Sequence, residues 1–500
     1  MKTRITTALL LIAMLASVSC GGEASVDTTA DTASDTTTAE VTTSIPELDI
    51  PDDVDYGGAT FTVEAIDARG KPTQAINNPF SLEEANGDIL NDIVFEAVER
   101  VEERLNIQFA QQYSRDAFDY GRLRTNAMSG DGSIDAFSYI DRFGVNQTAD
   151  GCVIPYGDIP NINLENPWWY EDINNAISIA NKLCYAVGAM NLDVVSRMTT
   201  LLYNKRIHEE LQLESPHKLI EQGKWTMDKL YEMIEAAARD IDGDNQMTVD
   251  DIWGAVYTHD AWYNNFHSLS GYHIVKKDGD DLPYMNVAGN EPLFDTWQRL
   301  LAYTLEGNVF VVSYAGDTKK YDIEKSTYTE PLYMFMDGKA LFTSTLNLGH
   351  LGYLRDMKDD FGILPFPHVE EEEPGAVYGG FNPAVGQPLF VPSSNSDPAR
   401  TGYVFEALCY EYYTTVVDPY IESVALVKQT RDEQSTEMLK MMLSDIQVDF
   451  SCGYWYDDTN HWWYDVFRSG KDTFVSSYEK QAPKAEAALE KTIAIFESFH

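Results

Sequence analysis

The sequence has few basic residues and few cysteines. Its 500 residues contain 36 Lys and Arg against 80 Asp and Glu, and the formal net charge is −44. Because a nucleic-acid backbone would be repelled by so acidic a chain, the composition argues against a nucleic-acid partner. The five cysteines show no C-x-x-C spacing, which argues against a thiolate metal cluster.

The sequence also lacks the common signatures of catalysis and nucleotide binding. It contains no G-x-S-x-G, H-E-x-x-H, Walker or Rossmann motif. This argues against the hydrolases and nucleotide-dependent enzymes that carry those motifs. A glycosidase stays open, because its pair of catalytic carboxylates is defined by distance and has no sequence motif.

The only apolar run near the amino terminus is short. Lys2 and Arg4 precede the run Ala8 to Ala16, and small residues follow just before Cys20. The run is too short for a permanent membrane helix, and the pattern is typical of an export signal. We therefore expect residues 1–19 to be a signal peptide.

Cys20, followed by two glycines, resembles the lipobox of bacterial lipoproteins. The resemblance implies lipidation of Cys20 and anchoring at the extracellular face of the cell membrane. One departure is Ser17, where that motif usually has Leu, and plain secretion is the alternative. Residues 20–50 are rich in Thr, Ser, Asp and Ala and should form a disordered tether, because they bury too little apolar surface.

The remaining chain predicts an α/β fold with more than one lobe. Its 44% apolar residues over this length exceed the needs of a single core. Ala59 to Ile66 alternates like a strand, and the apolar residues from Leu90 to Leu105 have helical spacing. Short buried strands are predicted at "KLCYAVGA" (182–189), "FGILPF" (361–366) and "PLFVP" (388–392), and helices at 225–239 and 480–496.

Several phrases, in their order along the chain, resemble bacterial extracellular solute-binding proteins of family 1 type, the lipoproteins that serve ABC importers of carbohydrate. They are "ERVEERLNIQF", "NPWWYEDI", "LLYNKRI", "GKWTMDKLYEMIEAA", "DGKALFTSTLNLGHLGYLRDMKDDFGILPFP" and "RDEQSTEMLKMM". The resemblance implies a two-lobed fold of periplasmic-binding type II, with a ligand cleft, a hinge that the chain crosses several times, and ABC permease subunits as partners of a monomer.

The lobe limits follow from the same resemblance. Lobe 1 is expected to comprise residues 51–190 and about 370–430, and lobe 2 residues 191–369 and about 431–500. The charged, turn-forming segment "HVEEEEPG" (368–375) is a predicted crossing between the lobes.

Two segments are similar to ligand-contacting parts of maltodextrin-binding proteins. "GDGSIDAFSYIDRFG" (130–144) implies that Asp141 and Arg142 bind sugar hydroxyls, with a salt bridge at a helix start as the alternative. "NHWWYDVF" (460–467) implies that Trp463 stacks on a sugar ring. Further aromatic candidates for ligand contact, with core packing as the alternative, are Trp262, Tyr263 and Trp455, and, less strongly, Trp168 and Trp169.

The stretch "DIDGDNQMTVDD" has the ligand spacing of an EF-hand-like calcium loop. The predicted ligands, at positions one, three, five, seven, nine and twelve, are Asp240, Asp242, Asp244, Gln246, Thr248 and Asp251. Asn245 replaces the usual Gly at position six, which Asn tolerates because it enters the left-handed region readily. Since a strand follows the loop, we expect a static, structural Ca²⁺ site. The alternative is an acidic surface turn without metal.

These observations predict a non-enzymatic protein that captures a carbohydrate, expected to be an oligosaccharide, and delivers it to an ABC importer. Two other classes stay open at this stage: a secreted glycosidase-like enzyme, and a calcium-dependent docking or adhesion protein. Docking modules carry the calcium loop twice, whereas this sequence has one copy.

Overall fold

A computed structural model describes residues 45–66, 89–114, 121–139, 151–258, 262–263, 266, 271–312, 330–345, 348–381, 387–425, 433–449, 451–459 and 461–499. By its contacts the chain divides into two units, Met1–Ile45 and Pro46–His500, and every element below belongs to the second.

A small sheet of four strands is built from the amino-terminal part of the chain and one later strand. Its strands are β1 (Ala59–Ile66), β2 (Ile107–Ser114), β3 (Ala136–Ser138) and β12 (Leu389–Phe390). The order is β12-β3-β1-β2, in which β1 pairs in parallel with β2 and β3, whereas β12 is antiparallel to β3. The predicted strand Ala59 to Ile66 is therefore confirmed.

A larger sheet of seven strands contains the middle of the chain. Its strands are β4 (Met198–Asn204), β5 (Trp253–Thr258), β8 (Val309–Val312), β9 (Ala340–Thr345), β10 (Phe361–Leu364), β11 (Gly379–Phe381) and β13 (Ile446–Gln447). The order is β13-β11-β4-β9-β5-β8, and β10 also pairs with β4. Strands β6 (Val275–Lys277) and β7 (Pro283–Met285) form a separate hairpin.

The two sheets repeat one arrangement. In each, a central strand (β1 or β5) has a parallel neighbour on both sides, and an antiparallel strand follows beyond one of them. That antiparallel strand, β4 or β12, is the one the chain forms immediately after leaving the other sheet. The chain thus passes between the sheets after β3, again after β11, and a third time between β12 and β13. The chain therefore crosses the hinge between the two sheets three times.

Helices pack on both sheets, and most are amphipathic. Those described are α1 (Ile89–Leu105), α2 (Gly121–Ser129), α3 (Glu171–Ile177), α4 (Asp193–Ser196), α5 (Lys205–Glu210), α6 (Pro216–Glu221), α7 (Met227–Ala237), α8 (Glu291–Leu305), α9 (Glu330–Met336), α10 (Pro398–Thr415), α11 (Val417–Ala425), α12 (Glu433–Ser444), α13 (Ser451–Tyr454), α14 (Tyr456–Thr459), α15 (His461–Ser469) and α16 (Phe474–Ser498), with short 3-10 helices at Tyr156–Asp158 and Leu348–Asp356. No helix in these ranges is long and apolar enough to cross a membrane.

The packing of α7 shows how a small residue positions an element. Thr226 caps this helix by accepting a hydrogen bond from the backbone N–H of Lys229 at 3.3 Å. Its apolar face covers β5, where a Cβ on Gly254 would lie 2.0 Å from the carbonyl oxygen of Ile234. Glycine is required at this contact because any side chain would separate the helix from the sheet.

Two predictions about the chain path are wrong. "KLCYAVGA" is buried but forms only isolated bridges, because its backbone bonds to loops such as 168–174. The segment 368–375 does not cross between lobes: the backbone of Glu372 and Gly375 bonds to Gly223 and Ile220, and β11 after it still lies in the larger sheet. The crossing falls between Phe381 and Leu389, and the other lobe limits stay predictions.

Candidate functional site

The carboxyl ends of the parallel strands define the candidate ligand site. In open α/β sheets, ligands bind outside these ends, at the point where the strand order reverses around the central strand. Here those ends are Ile66 and Ser138 in the small sheet, and Thr258, Val312 and Thr345 in the large one. The segments that follow them, 67–88, 140–150, 259–261, 313–329 and 346–347, lie outside the described residues. The described residues include the place where two crossing segments meet, around Asp193 and Gln387, which we call the floor of the candidate site.

A buried hydrogen bond joins two crossing segments at this floor. The carboxylate of Asp193, in the helix that leads into β4, accepts from the backbone N–H of Gln387 at 2.7 Å, just before β12. Burial raises the pKa of Asp193 despite the positive charge of Arg197 and this hydrogen bond. Burial also lowers the pKa of Arg197, which Asp193 partly offsets. Asp193 and Arg197 are thus a desolvated, oppositely charged pair beside the hinge.

His350 adds a third titratable group to the same region. It lies in the 3-10 helix after β9 and is 7% exposed. Burial and the charge of Arg197 lower the pKa of His350 to about 4. At neutral pH the imidazole is therefore uncharged beside Asp193 and Arg197.

Two buried hydroxyls lie at strand ends of the large sheet near the crossing. Thr200 and Thr345, on neighbouring antiparallel strands, share a hydrogen bond between their Oγ1 atoms at 3.0 Å. In the small sheet, the Ser138 hydroxyl donates to the carbonyl oxygen of Gln387 at 3.4 Å. All three side chains are buried in this structure, so their hydroxyls, which can donate and accept, would reach a polar ligand only in a conformation that exposes them.

Two of the residues predicted to contact the ligand, Asp141 and Arg142, lie outside the described residues. The other four are described and are buried, namely Trp262, Tyr263, Trp455 and Trp463. The aromatic faces of these four residues engage protein neighbours in this structure. As ligand contacts they stay predictions, which require a conformation that exposes one of their faces.

Trp262 and Tyr263 pack in the core beneath β5. The Trp262 ring stacks on Tyr257 with centroids 4.1 Å apart, and its Nε1–H donates to the Tyr231 hydroxyl at 2.9 Å. Tyr263 stacks on Phe467 at 3.7 Å and shares a 2.8 Å hydrogen bond with Thr304. These contacts explain both side chains by packing and hydrogen bonding alone.

Trp463 and Trp455 are also held by neighbouring rings and hydroxyls. The Trp463 ring lies between Tyr464, at a centroid distance of 4.1 Å, and Trp297 of α8, at 5.7 Å. Trp455 donates from Nε1 to Thr492 of α16 at 2.9 Å. The neighbouring Trp462 ring lies 5.6 Å from that of Tyr478 in α16, so Trp462 and Trp463 together fasten α15 to α8 and α16.

The adjacent pair Trp168 and Trp169 has a structural explanation. Both indole N–H groups donate to the buried carboxylate of Glu406 in α10, at 2.6 and 2.9 Å. The backbone N–H of Asn163 donates to the same group at 2.6 Å. Glu406 therefore holds the loop before α3 against α10. The two Trp side chains attach this loop to the helix, which packs on the small sheet through Phe405.

The structure brings three of the predicted calcium ligands together. Oxygens from Asp240, Asp242 and Asp244 lie within 4.8 Å of one another. Asn245 has φ 63°, which confirms the left-handed conformation expected at position six. The backbone N–H of Asp244 lowers the pKa of Asp242, but burial and the neighbouring carboxylates Asp244, Asp251 and Asp240 outweigh it, so that the pKa is raised. Such mutual repulsion is what a bound cation would relieve.

The buried carboxylate of Asp251 holds the two ends of the loop together by hydrogen bonds. Its Oδ1 accepts from the N–H of Ile241 at 2.9 Å, and its Oδ2 accepts from the N–H of Thr248 at 2.7 Å. These hydrogen bonds lower the pKa of Asp251. Arg239 and Ile252 bridge the two ends of the loop, and β5 begins directly after it. The loop is therefore anchored without a second helix, as the sequence predicted; Gln246, Thr248 and Asp251 stay predicted ligands.

Sequence reasoning missed the polar groups of Asp193, Arg197 and His350 at the crossing, and Glu64 with Arg122 in the small sheet. Only Glu64 gave a signal: a carboxylate inside "ATFTVEAI" is unexpected in the central strand of a parallel sheet. The segment "NLDVVSR" reads as an ordinary helix turn until its surroundings are known.

Solved structures resemble the chain over most of its length. A sugar transporter from Rhizobium etli in an open conformation gives a TM-score of 0.57 at 14% identity, covering 89% of this chain and 100% of that one. UspC from M. tuberculosis gives 0.56 at 13%, covering 86% and 100%. A cyclo/maltodextrin-binding protein complexed with maltotetraose gives 0.51 at 13%, covering 88% and 97%.

These likenesses show the fold, a two-lobed α/β fold of periplasmic-binding type II, and confirm the predicted fold class. The predicted distant resemblance to the solute-binding proteins of sugar ABC transporters is confirmed as well. A scan against models of protein families gave no match. A search of curated proteins by sequence gave none either.

Proposed function

We propose that this chain is an extracellular solute-binding protein that captures a carbohydrate between its two halves. The observation that carries the proposal is the repeated sheet arrangement, in which each half receives an antiparallel strand directly after a hinge crossing. The similar structures include a sugar transporter and a maltodextrin-binding protein, which supports a sugar as the ligand.

The mechanism is closure over the ligand. A sugar that contacts the carboxyl ends of both sheets makes more contacts when the halves approach, so it stabilises the closed state over the open one. The hydroxyls of Thr200, Thr345 and Ser138 are near this region. Asp141 and Arg142 are the proposed hydrogen-bonding contacts from the small half.

Delivery to an ABC permease completes the proposed function. The closed form would be recognised by the permease subunits, and Cys20 would hold the protein at the extracellular face of the membrane through its lipid. The expected monomer needs no further subunit. Catalysis is not part of the proposal, because capture leaves the sugar unchanged.

The proposal is tested by binding and product analysis together. A thermal-shift screen over mono- and oligosaccharides should find a stabilising sugar, because a ligand that binds only the folded state raises its stability. Calorimetry should then give one molecule bound per chain, and the recovered sugar should be intact. Newly formed reducing ends would instead indicate a glycosidase. Tight association with another protein, without sugar binding, would favour a docking protein.

We also propose that the loop 240–251 binds a structural Ca²⁺ ion. Its three clustered carboxylates are hard oxygen ligands, and the left-handed Asn245 gives the turn that wraps them around a common centre. The ion would be held by Asp240, Asp242 and Asp244, with Gln246, Thr248 and Asp251 completing the predicted set. It would brace the junction between α7 and β5. This junction is at the amino end of β5, whereas the sugar is proposed to bind at the carboxyl end of the strand.

A further inference from the structure

The second face of the small sheet is polar. Along β1, Phe61 and Val63 are buried, and Phe61 packs edge-on against Phe405 of α10. The side chains between them, Thr62 and Glu64, point to the opposite face, since residues alternate along a strand. A parallel sheet is ordinarily apolar on both faces because helices cover both. This face is an exception.

A pocket of about 290 Å³ lies between this polar face and helix α2. Four of its lining residues recur on one side of α2, and the rest come from β1, β2, β3 and the turn before β3. The lining residues are Glu64, Gln112, Arg122, Thr125, Asn126, Ser129, Asp131, Ser133, Ile134 and Phe137. Eight of these ten described lining residues are polar or charged, so this part of the pocket is a polar recess over the sheet.

The pocket is organised around a charged pair. Glu64, whose side chain is 1% exposed, accepts two hydrogen bonds from Arg122, from Nε–H at 2.5 Å and from an Nη2–H at 2.6 Å. The Tyr139 hydroxyl donates to the same carboxylate at 3.3 Å. The Arg122 side chain itself is 51% exposed. The buried carboxylate thus fixes the orientation of a guanidinium that faces the pocket.

A buried ion pair such as Glu64 and Arg122 is weak evidence of a stabilising role. Well-packed apolar residues commonly stabilise a core as well as a buried ion pair does, because the pair loses its hydration. A second polar group is fixed as well: Asn126, 8% exposed, accepts at Oδ1 from the Ser394 hydroxyl at 2.6 Å. Two oriented polar side chains around one recess are what recognition of a polar molecule needs.

The lining residues define the class of ligand that the pocket could bind. Among the described lining residues, two carboxylates, Glu64 and Asp131, and one guanidinium, Arg122, leave one negative charge, and the whole chain is strongly acidic. An anion would therefore be repelled. The hydroxyl and amide groups both donate and accept, as a polyol requires. The volume is near the lower limit of about 300 Å³ for ligand pockets, which suits a single sugar ring.

We propose that this pocket, whose described lining comes from the small sheet, helix α2 and the turn before β3, is a second binding site for a neutral polyol of monosaccharide size. Arg122, held by Glu64, and Asn126, held by Ser394, donate to its hydroxyls, and Thr125 lies at the rim. The proposal goes beyond capture between the halves and does not depend on it.

The test uses D-glucose, D-galactose, D-mannose and sorbitol as probes on the full chain. Saturation-transfer NMR and titration should show binding of at least one of them. Thr125→Tyr, which fills the pocket from an exposed position, and Arg122→Gln should weaken that binding at least tenfold. Arg124→Gln, an exposed neighbour on the same helix that does not line the pocket, should stay within twofold.

Several outcomes would overturn the proposal. These are the absence of binding by all four probes, full binding by the Thr125→Tyr protein, and competition by inorganic phosphate, which would contradict the neutral class. The oligosaccharide found in the thermal-shift screen should bind the Thr125→Tyr protein with unchanged affinity; an equal loss would make this pocket part of the main site. If no oligosaccharide binds, the capture function fails, while the monosaccharide result still decides the second site.

Discussion

The small and the large sheet share one strand order but differ in how their faces are covered. In the large sheet every residue of β4, β5 and β9 is buried, so both faces are packed. In the small sheet, Gln108 and Gln112 of β2 are exposed and Glu64 faces a polar pocket. The comparison teaches that the connections set the strand order, whereas side-chain alternation decides which face stays accessible.

The largest expected effect concerns the packed half. Trp463 is completely buried between Trp297 and Tyr464, so Trp463→Ala should lower the free energy of unfolding by about 3–5 kcal/mol. Val475, which is 51% exposed, gives a control: Val475→Ala should change it by less than about 0.5 kcal/mol. Urea denaturation measures both. A Trp463→Ala protein of normal stability with weakened sugar affinity would move this residue from the core to the ligand site.

The next effect concerns the open face of the small half. Arg122→Leu leaves the Glu64 carboxylate buried without its cation and should cost about 3 kcal/mol of unfolding free energy. The double variant Glu64→Leu/Arg122→Leu should recover most of this loss, because two apolar side chains pack without a hydration penalty. Denaturation of the two variants gives the comparison. A double variant as unstable as the single one would show that the pair is a stabilising part of the half.

A third effect is a pH dependence in the large half, at the crossing. The folded-state pKa of His350 is about 4, below the ordinary value, so protonation favours the unfolded chain. The contribution of this group to stability is therefore complete above about pH 6.5 and is lost as pH falls towards 4, by up to about 3 kcal/mol. His350→Asn should flatten the stability profile in this window. An unchanged profile in urea titrations at pH 4 to 7 would contradict the assignment.

The smallest effect is expected from the calcium loop. With Ca²⁺ at ten times its dissociation constant, the ion should stabilise the fold by about 1.4 kcal/mol, so excess EDTA should lower the melting temperature by a few degrees. Asp242→Asn should melt at the same temperature with and without EDTA. Equal melting of the unaltered protein under both conditions would leave the loop as an acidic turn.

The sequence predicted the local elements better than the site. Ala59 to Ile66 and the helix ending at Leu105 have strong periodicity, and Asn106 at φ 49° ends that helix. Periodicity is a local property, so these predictions were confirmed. The chain path at 182–189 and 368–375 depends on backbone partners distant in sequence, which no local pattern encodes.

The aromatic residues show why the site itself could not be predicted. A Trp or Tyr has a large apolar body and one polar group, and this chemistry suits a sugar contact and a core equally well. Trp262 finds both a stacking partner and a hydrogen-bond acceptor inside the protein, in Tyr257 and Tyr231. Only the arrangement in space distinguishes the two roles. Glu64 was the better signal, because a charge in a central strand has no role in packing.

The central claim is that the two halves close over a sugar, and a distance between them tests it most directly. Spin labels at Glu99→Cys on α1 and Glu235→Cys on α7 are exposed and lie on elements of the small and the large half. Pulsed dipolar spectroscopy should show a shorter distance after addition of the sugar that stabilises the protein, and no change with a sugar that does not. A sugar that binds and leaves this distance unchanged would contradict the account.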